Sequence, residues 1–344
     1  MKKKLENILS FSERKFFENF SKVEIKSHRK GDSYKYLLSK RNYAIKPIID
    51  KYKKIPNRFL RPRKCPNCFF SKYKILFLKD YFKISQCNKC QTVYVPMIFN
   101  KNFYNEIYNN PVYHKITKKL SDQSHEYRVI RFGNERIERL QKYIKKKKVK
   151  HLDVGCGTGF VVESAKKKGW DSTGIDLNSS GIDFGKKRNL KLFNCDLDHF
   201  TKSINGKKKY DVVTLFDVLE HIADPKKLIY KIKKILAKNG LIYAYVPNFN
   251  SASKILFGEK AHFIWPSHHL TYWTPETIIN FFKNLNLKPI FLETEGLDIE
   301  DFLFHYGNKK KIDIIEKYKN EFQFFINAGL YGKNLRIIVK NNKN

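Results

Sequence analysis

The chain has 344 residues, of which 42% are hydrophobic, enough for one large domain or two modest ones with a proper core. No apolar run reaches about 18 residues, which argues against a membrane span. Polar residues interrupt the stretch after the basic N-terminus, which argues against a signal peptide. We therefore expect a cytoplasmic protein. The net charge of +36 would suit a polyanionic partner, but the lysines are dispersed and Lys, Asn, Ile, Phe and Tyr are all encoded by AT-rich codons, so compositional bias is favoured.

The first 60 residues are rich in lysine, with scattered aromatic side chains and leucines. Phe16, Phe17 and Phe20 have the spacing to share one helical face, so residues 1–60 are expected to form a mostly helical accessory segment. The later part, near Tyr43 to Pro56, is expected to be irregular. No catalytic pattern occurs in this segment.

Four of the six cysteines form two Cys-x-x-Cys pairs with the spacing C-x2-C-x18-C-x2-C. They are Cys65, Cys68, Cys87 and Cys90. This spacing is typical of zinc sites in proteins without a secretion signal. The aromatic and β-branched residues between the pairs, from Tyr73 to Ile84, predict a hairpin, so we expect a zinc ribbon over residues 61–100. Because four cysteine ligands leave no open position on the metal, the predicted Zn²⁺ is structural.

A main domain is expected from residue 125 to residue 341, after a linker over residues 101–124. Near-helical spacing of Ile130, Ile137, Leu140 and Ile144 predicts a helix from about 124 to 146. Strands and helices then alternate, which predicts a parallel sheet covered on both faces. The strands are expected over 149–154, 172–175, 190–195, 211–216, 241–246, 289–293 and 335–340, and the main helices over 159–168, from 224 to Gly240, from Thr274 onward and over 311–326.

The first strand ends in a tight glycine turn, with Gly155, Gly157 and Gly159 two residues apart and Asp153 just before them. Glycine adopts positive φ and has no Cβ, so a ligand can lie directly on this backbone. The spacing is one residue shorter than the dinucleotide motif. An acid beside the turn suits a cationic ligand better than a pyrophosphate, and S-adenosylmethionine carries both an ammonium and a sulfonium.

Acidic residues follow the next predicted strands, at Asp176, Asp196 and Asp217. The carboxyl ends of parallel strands meet at one edge of a sheet, where ligands bind. Asp176 lies about 20 residues after the glycines, where a carboxylate can accept two hydrogen bonds from ribose hydroxyls. Asp196 could accept a bond from an adenine amino group. These acids therefore predict one shared site with the glycine turn.

The candidate catalytic residues are His221, after the fourth strand, and His268, His269 and Tyr272 in the long segment 248–273. A histidine can act as general base if the acceptor is a hydroxyl or an acidic carbon. His221 could instead cap a helix or contact the cofactor, and the other two histidines could make structural hydrogen bonds. Tyr272 is expected to contribute mainly packing. The thiols of Cys156 and Cys195 are expected to be small buried fillers.

Taken together, the run from Asp153 to Gly159, Asp176, Asp196 and Asp217-Val-Leu-Glu-His221 resembles class I S-adenosylmethionine-dependent methyltransferases. The cysteine pairs, Val95-Pro96 and Phe103-Tyr104 make the chain similar to bacterial methyltransferases with an N-terminal zinc segment, many of them in sugar and surface-polysaccharide pathways.

The resemblance implies an α/β, Rossmann-like fold, with a seven-stranded, mostly parallel sheet whose last strand is antiparallel. It also implies that the turn, including Cys156, holds the methionine portion of the cofactor, and that Phe216 and Asp217 lie near the methyl-bearing sulfur. Asp176 with Leu177 would hold the ribose, and Asp196 with Leu197 the adenine. Sugar C-methyltransferases with zinc add a C-terminal domain for which this chain is too short, so their reaction does not carry over.

The leading hypothesis is therefore methyl transfer to a small molecule, such as a sugar or a nucleotide-linked sugar. An RNA methyltransferase that grips phosphates with the ribbon and the lysines is an alternative, although the Asn/Asp-Pro-Pro-Tyr signature of amino-directed nucleic-acid enzymes does not follow the fourth strand. A non-catalytic cofactor-binding scaffold is a third possibility, and the intact glycine turn and acids count against it.

Overall fold

The computed structural model of the protein describes residues 36, 39–108, 110–204, 209–306 and 313–342. The expected helix around Phe16 to Phe20 lies outside these residues. Within them the chain forms a large α/β sheet with helices on both sides and a smaller four-stranded sheet beside it.

The main sheet has seven strands in the order β12-β13-β10-β9-β6-β7-β8. Its strands are β6 (Lys150–Val154), β7 (Asp171–Asp176), β8 (Leu192–Asn194), β9 (Tyr210–Phe216), β10 (Leu236–Pro247), β12 (Leu287–Glu295) and β13 (Asn334–Asn341). β13 runs antiparallel to both of its neighbours, and the pairs from β10 through β8 are parallel. The predicted fold class is confirmed.

The helices of this domain begin at the predicted signals. Asp224 caps the helix at Pro225, where its carboxylate accepts from the backbone N–H of Lys227. Thr274 and Thr277 form a reciprocal capping box at the next helix. The helices from the glycine turn onward are α5 (Phe160–Lys167), α6 (Ser179–Lys186), α7 (Leu197–Ser203), α8 (Pro225–Ile235), α9 (Ala252–Phe257), α10 (Pro275–Lys283), α11 (Asp298–Tyr306), α12 (Asp313–Lys317) and α13 (Lys319–Ala328).

The region before the main sheet is more helical than its sequence indicates. Helix α1 (Lys46–Tyr52) occupies part of the stretch expected to be irregular, because Ile45 and Ile48 pack into the core of the ribbon. The segment expected to be a linker contains α2 (Lys101–Tyr108) and α3 (Pro111–Arg128). A π-helical turn, Val129–Gly133, joins α3 to α4 (Asn134–Gln141). No helix in the described ranges has both the length and the apolar character needed to cross a bilayer.

The predicted hairpin of the ribbon is present as β2 (Tyr73–Lys79) and β3 (Phe82–Cys87), and it continues into β4 (Val93–Tyr94). The fourth strand of this sheet, β11 (Thr271–Tyr272), comes from the segment 248–273 of the main domain. β1 (Leu60–Pro62) and β5 (Met97–Phe99) form a separate pair at the base of the ribbon. The ribbon is therefore joined to the main domain by backbone hydrogen bonds.

Arg63 reinforces this junction with a guanidinium group that lies between the ribbon and the main domain. It donates to the carbonyl of Val95 at 2.9 Å, to that of Ala223 at 3.0 Å, and also to the carbonyl of Leu270. Its Nη2 lies 3.2 Å from the hydroxyl oxygen of Thr271. Carbonyl groups buried without a donor are costly, so this single side chain stabilises the junction through several acceptors.

We predict that Arg63→Met will lower the free energy of unfolding by about 2–4 kcal/mol, because the carbonyls of Val95 and Ala223 lose a donor and that of Leu270 loses one of two. Arg61→Met is the matched control, since Arg61 is an exposed neighbour on β1 and its loss should change stability by less than about 0.5 kcal/mol. Urea denaturation measures both variants. Equal stability of the two would show that Arg63 does not hold the junction.

Candidate active site

The glycine turn between β6 and α5 forms the floor of a cleft at the carboxyl edge of the sheet. Gly155, Gly157 and Gly159 have φ values of 75°, 55° and 80°, which favour glycine. A Cβ on Gly155 would lie 2.4 Å from Cγ2 of Val218, whereas a Cβ on Gly157 would have no heavy atom within 4 Å. Gly157 therefore faces open space, where a ligand can approach the backbone.

Asp176, at the end of β7, fixes this turn from the side. Its Oδ2 accepts from the backbone N–H of Gly157 at 2.8 Å, and its Oδ1 accepts from that of Asn178 at 2.7 Å. Burial raises the pKa of the carboxyl, while these backbone donors oppose the rise. Each carboxylate oxygen has a second lone pair, so the group can still accept hydrogen bonds from a ribose diol.

Asp153 belongs to a buried polar chain under the turn. The hydroxyl of Thr214 donates to its Oδ1 at 2.5 Å, so the same oxygen of Thr214 accepts from Nε2 of His151 at 2.8 Å. Nδ1 of His151 in turn lies 2.8 Å from the hydroxyl of Ser172. Burial raises the pKa of Asp153 to about 7, although the Thr214 hydrogen bond lowers it. A positive charge nearby would therefore favour the ionised form of Asp153.

The remaining residues predicted to bind cofactor differ in whether their side chains are exposed or buried. Asp196 is exposed and caps α7, accepting from the backbone N–H of His199 at 2.8 Å, and the Leu177 side chain is 65% exposed beside Asp176. The side chains of Cys156 and Leu197 do not face the cleft. Both are buried in apolar clusters, as expected for the small thiol of Cys156 but not for Leu197. Only their backbones could contact a ligand.

Two arginines that the sequence analysis did not identify flank Asp217 at the end of β9. Asp217 is accessible from the cleft and has a φ of 56°, a strained value for a residue with a side chain. Enclosure by the cleft walls raises the pKa of its carboxyl, and the charges of Arg136 and Arg128 oppose the rise. The guanidinium of Arg136 also lies 4.2 Å from the ring centre of Phe216. These cations can hold the carboxylate of a methionine group.

The π-helical turn positions α3 against the glycine turn. A Cβ on Gly133, within the π turn, would lie 2.3 Å from the hydroxyl of Ser164 in α5. About two helical turns before Gly133, His125 contacts the hydroxyl of Thr158 at 2.8 Å and the carboxylate of Glu163 at 3.0 Å. A π turn inside a helix is often found at functional sites, but its sequence carries no marker that would have predicted it.

The opposite wall is a 3₁₀ turn, Leu219–His221, packed against segment 248–273. Nδ1 of His221 lies 3.0 Å from the carbonyl oxygen of His268, and Nδ1 of His269 lies 2.7 Å from that of Phe263. The two imidazoles meet edge to face with ring centres 4.7 Å apart. Glu220 is buried beside them. The sequence indicated His221 and His269 as candidate catalytic residues but not Glu220, although Glu220 belongs to the motif Asp217-Val-Leu-Glu-His221.

His268 and Tyr272, the other two candidate catalytic residues, do not join this group. The ring of His268 stacks on Trp265 at 3.9 Å and lies 2.9 Å from the hydroxyl of Ser267. Tyr272 is buried in the apolar core that the ribbon shares with this segment. Packing against aromatic neighbours therefore explains both residues.

The four paired cysteines converge in the ribbon. Their sulfur atoms lie within 4.8 Å of one another, with 3.5 Å between Cys65 and Cys90 and 3.5 Å between Cys68 and Cys87. Zinc–sulfur bonds of about 2.3 Å in a tetrahedron imply sulfur separations of about 3.8 Å. The cluster therefore fits a structural zinc site.

We predict that Asp176→Ala will weaken S-adenosylmethionine binding at least tenfold, about 1.4 kcal/mol, because the variant loses an acceptor for the ribose and leaves the N–H of Gly157 unpaired. Asp171→Ala is the matched control, because Asp171 is exposed at the opposite end of β7. Calorimetric titration measures both. An unchanged affinity in Asp176→Ala would refute the assignment.

We also predict that cofactor affinity falls as the pH drops through about 7. An acid whose pKa is raised to about 7 is protonated below that pH and no longer attracts the cationic cofactor. The loss should be at most about tenfold per pH unit below the pKa and should level off at the affinity of the protonated form. Asp153→Asn should give a weaker and pH-independent affinity, and the prediction fails if wild-type binding is constant between about pH 8 and pH 6.

Comparison with known proteins gives one family. A family model described as a methyltransferase domain matches residues 123–292. The ubiquinone biosynthesis O-methyltransferase of Salmonella paratyphi A is 26% identical over 186 residues, which are 47% of this chain and 76% of that protein. The protein of the same name from Pelagibacter ubique is 28% identical over 185 residues, 50% of this chain and 75% of its own. That from Hydrogenovibrio crunogenus is 34% identical over 113 residues, 30% of this chain and 45% of its own.

Similar solved structures include the plantazolicin methyltransferase BpumL in complex with SAH, with a TM-score of 0.48, 19% identity and coverage of 70% of this chain and 93% of that chain. A SAM-dependent methyltransferase from Archaeoglobus fulgidus has a TM-score of 0.43 and 24% identity, with coverage of 66% and 99%. The family match covers the glycine turn, the acids and the strands from β6 to β10. The chain is a class I S-adenosylmethionine-dependent methyltransferase.

Proposed function

We propose that this enzyme transfers the methyl group of S-adenosylmethionine to a hydroxyl oxygen of a small-molecule acceptor. The observation that carries the proposal is a group of hydrogen-bond acceptors at the end of β9. A carbonyl oxygen can only accept, so Nδ1 of His221 and of His269 must each donate, which leaves both Nε2 atoms as acceptors beside the carboxylate of Glu220. A hydroxyl gives up its proton as its oxygen attacks, and these groups can direct or receive it.

The other residues position and enclose the reactants. When bound, the cofactor supplies an activated methyl group on a sulfonium, so the protein chiefly has to align the acceptor oxygen with it and exclude water. The glycine turn and Asp176 hold one side of the cofactor, and Arg128 and Arg136 supply positive charge where its carboxylate would lie. The 3₁₀ turn Leu219–His221 and His269 form the acceptor side.

Within this class we propose a sugar, such as a nucleotide-linked sugar, or a related metabolite of surface-polysaccharide biosynthesis, on the similarity of the four-cysteine segment to methyltransferases of those pathways. The curated relatives named for ubiquinone biosynthesis make a phenolic hydroxyl the competing acceptor. We further propose that the four cysteines hold structural Zn²⁺ and that the enzyme acts in the cytoplasm, where paired thiols remain reduced and bind metal.

An assay with a labelled methyl group tests the acceptor directly. Host extract is separated into nucleotide sugars, lipid-soluble phenols and RNA, and each fraction is incubated with the enzyme and labelled cofactor. Label in the sugar fraction that is retained as an O-methyl ether supports the proposal. Label in the phenols would keep the hydroxyl chemistry and correct the acceptor, whereas label in RNA with a steep salt dependence would overturn the small-molecule assignment.

We predict that His269→Gln will reduce turnover by about 10²-fold or more, because an acceptor atom on the reacting side is lost. Its cofactor affinity should change less than about threefold, since the glycine turn and Asp176 are untouched. His305→Gln is the matched control, because His305 is an exposed imidazole on α11, outside the cleft residues described above. Unchanged turnover of His269→Gln in the same assay would contradict the proposed role.

A further inference from the structure

We propose that Glu220, His221 and His269 form a binding site for a divalent transition-metal ion, separate from the four-cysteine cluster. One ligand atom from each residue lies within 4.8 Å of the other two. All three side chains sit at the carboxyl end of β9 and on the facing part of segment 248–273. Nothing in the methyltransferase assignment itself requires an ion at this position.

The two imidazoles are oriented as metal-binding histidines usually are. Nδ1 of His221 donates to the carbonyl of His268 at 3.0 Å, and Nδ1 of His269 donates to the carbonyl of Phe263 at 2.7 Å. A hydrogen bond from the distal ring nitrogen to a carbonyl fixes the tautomer and leaves the other nitrogen unprotonated. Both Nε2 lone pairs are therefore free to coordinate an ion.

Glu220 supplies the oxygen ligand. Its residue is 1% exposed, yet neither carboxylate oxygen has a hydrogen-bond partner among the described residues. The nearest imidazole nitrogen, Nε2 of His221, lies 4.0 Å from Oε1, which is too far for a hydrogen bond. A buried carboxylate without a donor is costly, and here it faces two further acceptors. A cation is the ligand that satisfies all three groups together.

The backbone around the cluster is well fixed, so the three groups are held together without the ion. The carbonyl of Glu220 accepts from the N–H of Leu270 at 2.6 Å, and the N–H of His221 donates to Val218 at 3.0 Å. Asp217, close in sequence, adds further negative charge near Glu220.

The donor set indicates the kind of ion. Two imidazole nitrogens and one carboxylate suit Zn²⁺, Mn²⁺, Fe²⁺ or Co²⁺, whereas Mg²⁺ and Ca²⁺ prefer all-oxygen sites. Three protein ligands leave at least one position open. The side chain of His221 is 25% exposed, so an open position can face the cleft. With the ion bound, both Nε2 atoms would coordinate it, so they would act on an acceptor hydroxyl at the open position through the ion, which makes the proton easier to lose; this role, unlike the site itself, rests on the proposed function.

Metal counting on the full-length protein tests the site. The protein is stripped of metal under reducing conditions, titrated with Zn²⁺ alone, freed of unbound ion and analysed for its zinc content. The wild-type protein should retain two equivalents, and His269→Gln and Glu220→Gln should each retain one. His268→Gln is the matched control and should retain two, because the ring of His268 stacks on Trp265 and does not join the cluster.

Co²⁺ substitution provides a second readout that needs no variant. The first equivalent bound by the cysteines should show intense thiolate-to-metal absorption, and a second equivalent should add weak ligand-field bands without further thiolate absorption. One equivalent in the wild-type protein, or two in His269→Gln, would overturn the site. Neither readout uses turnover, so a protein that methylates hydroxyls but binds one equivalent would refute the metal site and leave the proposed function intact.

Discussion

The acceptor side of the cleft depends on a backbone pairing between parts of the chain that are far apart in sequence. β11 pairs with β4, so Thr271 lies opposite Tyr94 and Tyr272 opposite Val93. The next residue back, Leu270, donates to the carbonyl of Glu220 and accepts from the N–H of Val95. One continuous set of hydrogen bonds therefore runs from the ribbon through segment 248–273 to the 3₁₀ turn. The position of His269 follows from it, because its neighbours on the chain are fixed.

This connection gives the ribbon a role that a separate zinc module would not have. The sulfur cluster contacts Tyr94, whose strand carries the pairing with β11. The ribbon also shares one apolar core with segment 248–273, including Phe263 and Tyr272. The cysteine cluster and the acceptor wall are therefore connected through shared packing and strand pairing.

Much of the main domain follows from local chemistry. Near-continuous apolar runs such as Asp211 to Phe216 are typical of strands buried on both faces, and the acids after them mark the carboxyl edge of the sheet. The glycines at 155, 157 and 159 indicate a turn that other residues adopt only with strain, and all three have positive φ. The cysteine spacing likewise predicts a cluster, because each pair closes a short knuckle.

What could not be predicted depends on tertiary packing. β11 is only two residues long, and nothing in Thr271 or Tyr272 indicates which sheet it joins. The roles of Arg128 and Arg136 arise because α3 and α4 pack beside the glycine turn, a placement that helical spacing alone does not give. Motif spacing also could not show that Leu197 points into the core, since it fixes position along the chain and not the face of the backbone.

The π turn at Val129–Gly133 makes this helix intolerant of a change in length. Each residue of an α-helix rotates the chain by about 100°, and a π turn accommodates one residue more than an α turn. Removing a residue there would restore a regular helix but turn everything N-terminal to it by about that angle relative to α4. His125 would leave Thr158, and Arg128 would leave the cleft. The extra residue therefore sets the rotation of α3 relative to α4 about the helix axis.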